Sequence, residues 1–491
     1  MITSDRMAAV DRNAEAVGVP RKQLMESSGN ALAAVVKEET PEGGRVEIVA
    51  GRGNNGGDAF VAARFLEDYD VTVRLLGRPE TITTEIAREN WEALETGEYD
   101  ARTVTDSADL ALDAPDTVVD AMLGTGITGA LREPERTGAE IINDADATVV
   151  SVDIPSGMDA DTGNVGGTAP NAPDGSGAIA VEADRVVTFH DLKPGLEGRS
   201  DVTVADIGIP DAAERFVGPG DLLQLGRDPT AHKGDFGRVV VVGGGPYTGA
   251  PALSSIAALR AGADLVFCCV PEAVADEVQG YSPDLIVDAY AGERFRPARV
   301  EDALETANEY DADTVLLGPG LGDAEETLDA AREFLTRYEG DVVVDADAIQ
   351  VVPDTLPREG ETLCTPHQGE LVAMGGPRSD DHDERAELVT EFAANLGVTL
   401  LVKGAYDVIS NGDETRLNRT GNPGMTVGGT GDVLAGATAA LASTLDGLDA
   451  AAIAAYANGS AGDMAVEEKG YGLLASDLPD RLPEAMWGER S

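Results

Sequence analysis

Two series of short β-branched runs, each run followed by a helical stretch, constrain this chain more than any other feature. RVEIVAG, VTVRLLG, DTVVDAML, TVVSVDIP, RVVTF and DVTVADIGI follow one another between residues 45 and 209. RVVVVGGG, DLVFCCVP, LIVDAYA, TVLLGPG, DVVVDADA and TLLVKG do the same between 238 and 404. Strands alternating with helices call for a parallel sheet covered by helices on both faces. Residues 210–235 interrupt the pattern, and 491 residues exceed what one ordinary core holds. The expectation is therefore an α/β protein of two domains, residues 1–215 and 222–488, the first a Rossmann-like three-layer α/β/α sandwich. Residues 3–39 read as amphipathic helices covering one side of it. GNVGGTAPNAPDGSGAIAV, 163–181, reads as a surface loop, and the Ala-rich DVLAGATAALAST, 432–444, as a core helix.

Charge narrows the function classes. A net charge of −53 repels nucleic acid and anionic membranes, yet 42% hydrophobic content is too high for a disordered acidic chain. Only six lysines accompany thirty arginines. Such a surface suits molar salt, which screens acidic self-repulsion, so a halophilic, haloarchaeal source is expected. The three cysteines form no metal or disulfide pattern, and the adjacent Cys268 and Cys269 would face opposite sides of a strand. Without a secretory signal pattern or an apolar run of membrane length, a soluble cytoplasmic protein is expected.

GRGNNGGDAF, 51–60, satisfies the dinucleotide fingerprint G-x-G-x-x-G directly after a strand. The helix is expected to begin with Asp58, placing a carboxylate where a pyrophosphate should sit, and no acidic residue ends the second strand. The match reads as incidental; a tight turn with Asp58 as helix cap is the plainer alternative. Asp120, the glycine-rich 124–130 segment and Asp153-Ile-Pro-Ser156 also follow strands, so all should converge at the sheet's carboxyl edge. Backbone amides of 124–130 could approach a phosphate. Asn55, Asp120 and Ser156 offer hard oxygen ligands suited to an alkali or alkaline-earth cation.

Together NNGGD, VVDAMLGTG, VDIPSGMDADTG and TF-x-x-x-K-P-G resemble the amino-terminal domain of the NAD(P)H-hydrate epimerases. That resemblance implies hydrate binding by Asn54, Asn55, Gly56, Gly57 and Asp58, by Gly124, Thr125, Gly126, Ile127, Thr128, Gly129 and Ala130, and by Asp153. It implies potassium on Asn55, Asp120 and Ser156. Ala59 departs from the family's usual glycine, and the 164–180 loop looks expanded. Epimerisation removes and restores a hydroxyl, so a group must trade protons. Asp153 is the first candidate, with Asp58 and Lys193 behind it.

In the second domain, Gly428-Gly-Thr-Gly-Asp432 precedes the Ala-rich helix. Amides at a helix start form an anion hole, and a carboxylate behind them can deprotonate a hydroxyl attacking phosphorus. No G-K-[ST] follows, so this is not a Walker loop. Taken with HKGDFGRVVVVGG, YTGAPALSSIAALRAGA, GPGLG, DADA, TPHQGE and KGAYDVI, it resembles the ADP- or ATP-dependent NAD(P)H-hydrate dehydratases, a ribokinase-like family. The resemblance implies hydrate contacts from Ala250, Gly322, His367 and Asp432. It also implies nucleotide contacts from Lys403, Gly404, Ala405, Tyr406, Asp407 and Gly431, with Asp432 as catalytic base, ADP as co-substrate and Mg²⁺ on its phosphates. His367 alone would read as a helix-start residue. Lys193, Lys233 and Lys403 fall inside these motifs, as expected if surface lysines were replaced and site lysines kept.

The expected enzyme is thus bifunctional: an isomerase exchanging R and S hydrates of NADH and NADPH (NADHX and NADPHX), and a lyase converting the S form with ADP to NAD(P)H, AMP and phosphate. Small molecules are its expected partners, in a homo-oligomer. The rival is a vitamin or sugar kinase with a non-catalytic amino-terminal nucleotide-binding module; a dehydrogenase ranks third.

Overall fold

A computed structural model describes residues 1–126, 129–166 and 178–488. They fall into two compact units that meet between Ala213 and Glu214.

The first unit is built on β1 (Arg45–Ala50), β2 (Asp70–Leu76), β3 (Asp100–Val104), β4 (Thr117–Ala121), β5 (Thr148–Val152), β6 (Arg185–Phe189) and β7 (Val202–Ala205). Their order is β3-β2-β1-β4-β5-β6-β7 and every pairing is parallel. Successive residues of a strand face opposite layers: Ile48 joins the core under helices Ser4–Ala16, Arg21–Glu39, Asn54–Phe65 and Glu85–Thr96, whereas Val49 joins the one under Glu135–Asn143. β3 escaped the sequence reading because it is an edge strand with mostly exposed residues, DARTV, and so lacks the apolar run that marks a central strand. The strand order reverses between β1 and β4, the place where open sheets leave a crevice at their carboxyl ends.

One expectation needs correcting. The helix after β1 begins at Asn54 with Gly53 as its cap, so Asp58 neither starts nor caps it; it lies a turn inside, buried. The glycines here answer to backbone crowding. A Cβ on Gly51 would stand 1.9 Å from the Met122 carbonyl oxygen, and one on Gly56 2.2 Å from that of Gly51.

The second unit is built on β8 (Arg238–Val242), β9 (Leu265–Pro271), β10 (Ile286–Tyr290), β11 (Thr314–Leu317), β12 (Asp341–Val344), β13 (Thr362–Cys364), β14 (Thr399–Val402), β15 (Asp407–Ser410) and β16 (Thr415–Asn418). The order is β10-β9-β8-β11-β12-β13-β14-β15-β16, parallel as far as β14 and antiparallel through β15 and β16. β13, β15 and β16 have only three or four residues each and gave no recognisable run. Cys268 and Cys269 do enter opposite cores, and both are buried and free. The Ala-rich stretch is the start of a buried helical hairpin, Thr430–Ala442 and Gly447–Lys469, whose small side chains let it lie against the strands and against helix Gly249–Arg260.

Candidate active sites

In the first unit, the loops leaving β1, β4 and β5 meet at the reversal point. Asp120, the penultimate residue of β4, is fully buried and opposite Ser151 of β5. Its Oδ2 accepts from Ser151 Oγ at 2.8 Å and from the Ser156 amide at 2.9 Å; its Oδ1 accepts from Ser156 Oγ at 2.6 Å. Burial raises the Asp120 pKa, and the Ser156 hydroxyl, Ser156 amide and Ser151 bonds oppose the rise. Asn55 donates from Nδ2 to the Leu123 carbonyl at 3.0 Å, and the Leu123 amide donates to Ser156 Oγ at 3.0 Å. Asn55, Asp120 and Ser156 are thus brought into one connected cluster. Its side-chain oxygens and the Leu123 carbonyl are an all-oxygen donor set of the kind a potassium ion takes.

Gly124 lies directly against Asn55: a Cβ there would be 3.3 Å from Asn55 Oδ1. Thr125, Gly126, Gly129 and Ala130 continue this loop, with Gly129 at φ +101°. Ile127 and Thr128 lie outside the described residues, as does most of the 164–180 loop. Asn54, Gly56 and Gly57 form the first turn of the helix that carries Asn55 and Asp58.

Asp153 stands just past β5 at φ +66°, a left-handed conformation that Asp adopts more readily than most residues. Its Oδ1 accepts from Thr188 Oγ1 at 3.1 Å and pairs with Lys193 Nζ at 3.0 Å. Lys193 is only 1% exposed and also donates to the Phe189 carbonyl at 2.8 Å. Two further carboxyls share this environment. Burial, then Asp153 and Asp11, hold the Asp58 pKa well above the ordinary range. Burial pushes Asp11 up to about 6 although Lys193 pulls it down. Asp11 was missed in the sequence because its helix carries no loop motif; only the fold brings it near Asp153.

In the second unit the same logic repeats at the reversal between β8 and β11. Ala250 opens helix Gly249–Arg260, and a Cβ on Gly320 would lie 3.3 Å from the Ala250 Cβ. Gly322 follows at φ +76° against Pro246, so the Gly318–Gly322 loop packs along the 246–250 segment. His367 caps helix Gln368–Ala373: its Nδ1 accepts from the Glu370 amide at 3.0 Å while Glu370 Oε2 accepts from the His367 amide at 2.7 Å. The helix-start reading of His367 thus describes what its ring and backbone do in the structure, while the ring stays exposed.

Gly429 caps helix Thr430–Ala442 with φ +102°, placing the amides of Thr430 and Gly431 and the side chain of Asp432 in the first turn. Lys403 reaches the same point, its Nζ 3.1 Å from Asp345 Oδ1 and 3.8 Å from Glu370 Oε2; a Cβ on Gly431 would be 3.3 Å from it. Burial opposes the Lys403 charge, but Asp345 and Glu370 outweigh it and raise its pKa. Burial and then Asp345 push Asp432 up to about 7, with Lys403 opposing. Asp345 and Glu370 were missed as site residues, although DADA and TPHQGE were noticed. Within 403–407, Asp407 braces the turn by accepting from the Gly404 amide at 2.9 Å and from Asn418 Nδ2 at 2.9 Å. The Tyr406 ring stacks on His382 at 4.6 Å, and Ala405 is exposed.

Residues 21–195 match the family described as the YjeF-related protein N-terminus, and residues 239–484 match the NAD(P)H-hydrate dehydratase family. The bifunctional NAD(P)H-hydrate repair enzyme Nnr of Methanothermobacter thermautotrophicus is 44% identical over 502 aligned positions, covering 98% of this chain and 94% of that protein. The enzyme of the same name from Archaeoglobus fulgidus is 42% identical, covering 99% and 98%. The chain belongs to the bifunctional NAD(P)H-hydrate repair enzymes. Among solved structures, the ADP/ATP-dependent NAD(P)H-hydrate dehydratase of Bacillus subtilis, co-crystallised with ATP and Mg²⁺, is 30% identical over 53% of this chain and 92% of that one, with a TM-score of 0.46. Membership in this family gives the second unit its ribokinase-like class and the first its epimerase class.

Proposed function

We infer that this chain repairs hydrated NAD(P)H with both units: the first exchanges R and S hydrates, and the second dehydrates the S form at the expense of ADP. The observation that carries the dehydratase half is Asp432, half-buried in the first turn of a helix whose amides aim at the same point as Lys403. Hydroxide is a poor leaving group. Asp432 takes the proton of the hydrate's hydroxyl as its oxygen attacks the β-phosphorus of ADP, releasing AMP. The resulting phosphate then departs, pushed by the ring nitrogen's electron pair, and loss of a ring proton restores NAD(P)H. The Gly428–Gly431 amides and Lys403 stabilise charge on the transferring group. Ala250, Gly322 and His367 face the hydrate in this reading, and Lys403, Gly404, Ala405, Tyr406, Asp407 and Gly431 the nucleotide. Mg²⁺ prefers nucleotide phosphates plus one or two carboxylates, and Asp345 and Glu370 supply that donor chemistry; an ion held there would neutralise phosphate charge.

For the epimerase half, Asn54–Asp58, Gly124–Ala130 and Asp153 cradle the hydrate, and Asp153 trades protons with it. Asn55, Asp120 and Ser156 would hold potassium, which would offset substrate phosphate charge beside the Gly124–Ala130 loop. The excess of acidic residues supports a halophilic, cytoplasmic setting, potassium being the abundant cation there. Among the described residues no helix is long and apolar enough to cross a membrane.

The deciding experiment supplies ADP or ATP to separately prepared R and S hydrates of NADPH at high potassium and follows recovery of dihydronicotinamide absorbance. The expected outcome is recovery from both hydrates with ADP. A phosphorylated vitamin or sugar made with ATP, and no absorbance recovery, would instead support the kinase reading.

A further inference from the structure

Helix His382–Leu396 begins against the turn that joins β14 to β15, and two of its side chains, one helical turn apart, reach that turn. The His382 ring stacks on the Tyr406 ring, with centroids 4.6 Å apart and planes 15° from parallel. Arg385 Nη2 donates to the Tyr406 carbonyl. The same guanidinium lies directly behind Gly404: a Cβ there would stand 3.1 Å from Arg385 Nη2 and 3.0 Å from the Tyr406 carbonyl oxygen, so a glycine suits the position. Gly404 and Ala405 are exposed on the far side of the turn, whereas Arg385 is 8% exposed. Asp407, the carboxylate of this turn, is spent on the Gly404 amide at 2.9 Å and on Asn418 Nδ2 at 2.9 Å. Arg385 Nε has no hydrogen-bond partner, and among the described residues no carboxylate stands within ion-pair distance of the guanidinium. A buried cation without a counter-charge is costly, and an anion seated on the exposed side of Gly404 would offset that cost.

Resting on the dehydratase reading above, we propose that Arg385 is the positioning residue of the ADP site: it holds the 404–406 turn in shape through the Tyr406 carbonyl, and its buried charge favours the nucleotide's phosphate chain on the exposed side of that turn. It acts through the turn, and the hydrate is recognised elsewhere, by Ala250, Gly322 and His367 in the same reading. The interaction is present with bound ADP before and during phosphoryl transfer alike, so it serves nucleotide binding and not the chemical step.

The test measures dehydration of S hydrate by the full chain against ADP and against hydrate concentration, for the native sequence, R385M, R385K and G404A, with the urea midpoint of each. R385M keeps most of the side chain's length and loses its charge and its bond to Tyr406. Its KM for ADP rises about tenfold or more, while kcat at saturating ADP and the KM for hydrate stay within about threefold of native. R385K keeps the charge and gives a KM for ADP between the two. G404A keeps Arg385 but crowds the turn against it, and it too raises the KM for ADP alone. In R385M, a KM for ADP within about twofold of native overturns the proposal. So does a loss shared by kcat and both KM values with a lowered urea midpoint, which makes Arg385 a brace of the fold only. An unchanged KM for ADP in G404A overturns the role given to the turn. Where R385M does not fold, R385K decides: a KM for ADP raised alone at a native midpoint supports the assignment, and a native KM overturns it. A native chain that leaves S hydrate untouched with ADP removes the dehydratase reading, and this proposal with it.

Discussion

Asp432 shows how much a single carboxyl owes to its neighbours. Its pKa of about 7 comes from burial and from Asp345, with Lys403 pulling the other way. As a base it must be ionised, so dehydration of the S hydrate should rise with pH through about 7 and level off above it. A flat profile across that range would remove Asp432 as the base. Replacing Lys403 by methionine deletes the one cation that lowers Asp432, so the same limb should move to higher pH, and the KM for ADP should rise if Lys403 holds a phosphate as proposed. Asp432→Asn should cost about a hundredfold or more in kcat while ADP binding, measured by calorimetry, stays near native. At this scale the sequence was informative where candidate groups sit in a contiguous motif: Asn55, Asp153 and Asp432 could be named from it, and the structure sets each among other polar groups. It was silent on Asp11, Asp345 and Glu370, whose roles arise from separate elements meeting through the fold.

At the scale of elements, the sites depend on close approach. Helix Thr430–Ala442 crosses helix Gly249–Arg260 so tightly that a Cβ on Gly436 would lie 2.0 Å from the Ser254 carbonyl oxygen. One turn away, Ser254 Oγ donates to the Asp432 carbonyl at 2.9 Å, tying the turn that carries Asp432 to the helix that carries Ala250. Gly436→Ala should destabilise by about 1–3 kcal/mol, as overpacking does, seen as a lower denaturation midpoint. It should also lower the dehydration rate while leaving R to S interconversion untouched. An unchanged midpoint would mean that the two helices can part without cost. The Ala-rich composition of this segment was readable as core helix; how closely it packs on helix Gly249–Arg260 was not. The error over Asp58 has a similar origin. Asn54 and Asn55 are poor helix-interior residues but lie in the first turn, where the penalty is small, and Gly51 and Gly56 leave room for the β1 and β4 loops to pack behind them.

For the whole molecule, a charge of −53 is mostly repulsion to be screened. Going from about 0.1 M to about 1 M KCl shortens the Debye length from about 10 Å to about 3 Å, so the Tm should rise steeply with salt. A Tm that is insensitive to KCl would argue against a halophilic setting. The sequence by itself determined the two α/β units, the central strands and the loops that carry chemistry, because buried parallel strands must be apolar along their length and ligand loops must follow them. The tertiary structure alone decided the edge strand β3 and the terminal hairpin β15–β16, which are too exposed or too short to carry a pattern. It also decided which charges face one another: Lys193 with Asp153 and not Asp58, and Lys403 among Asp345, Glu370 and Asp432. Those pairings set the protonation states, and they follow from distance and burial, which no one-dimensional spacing records.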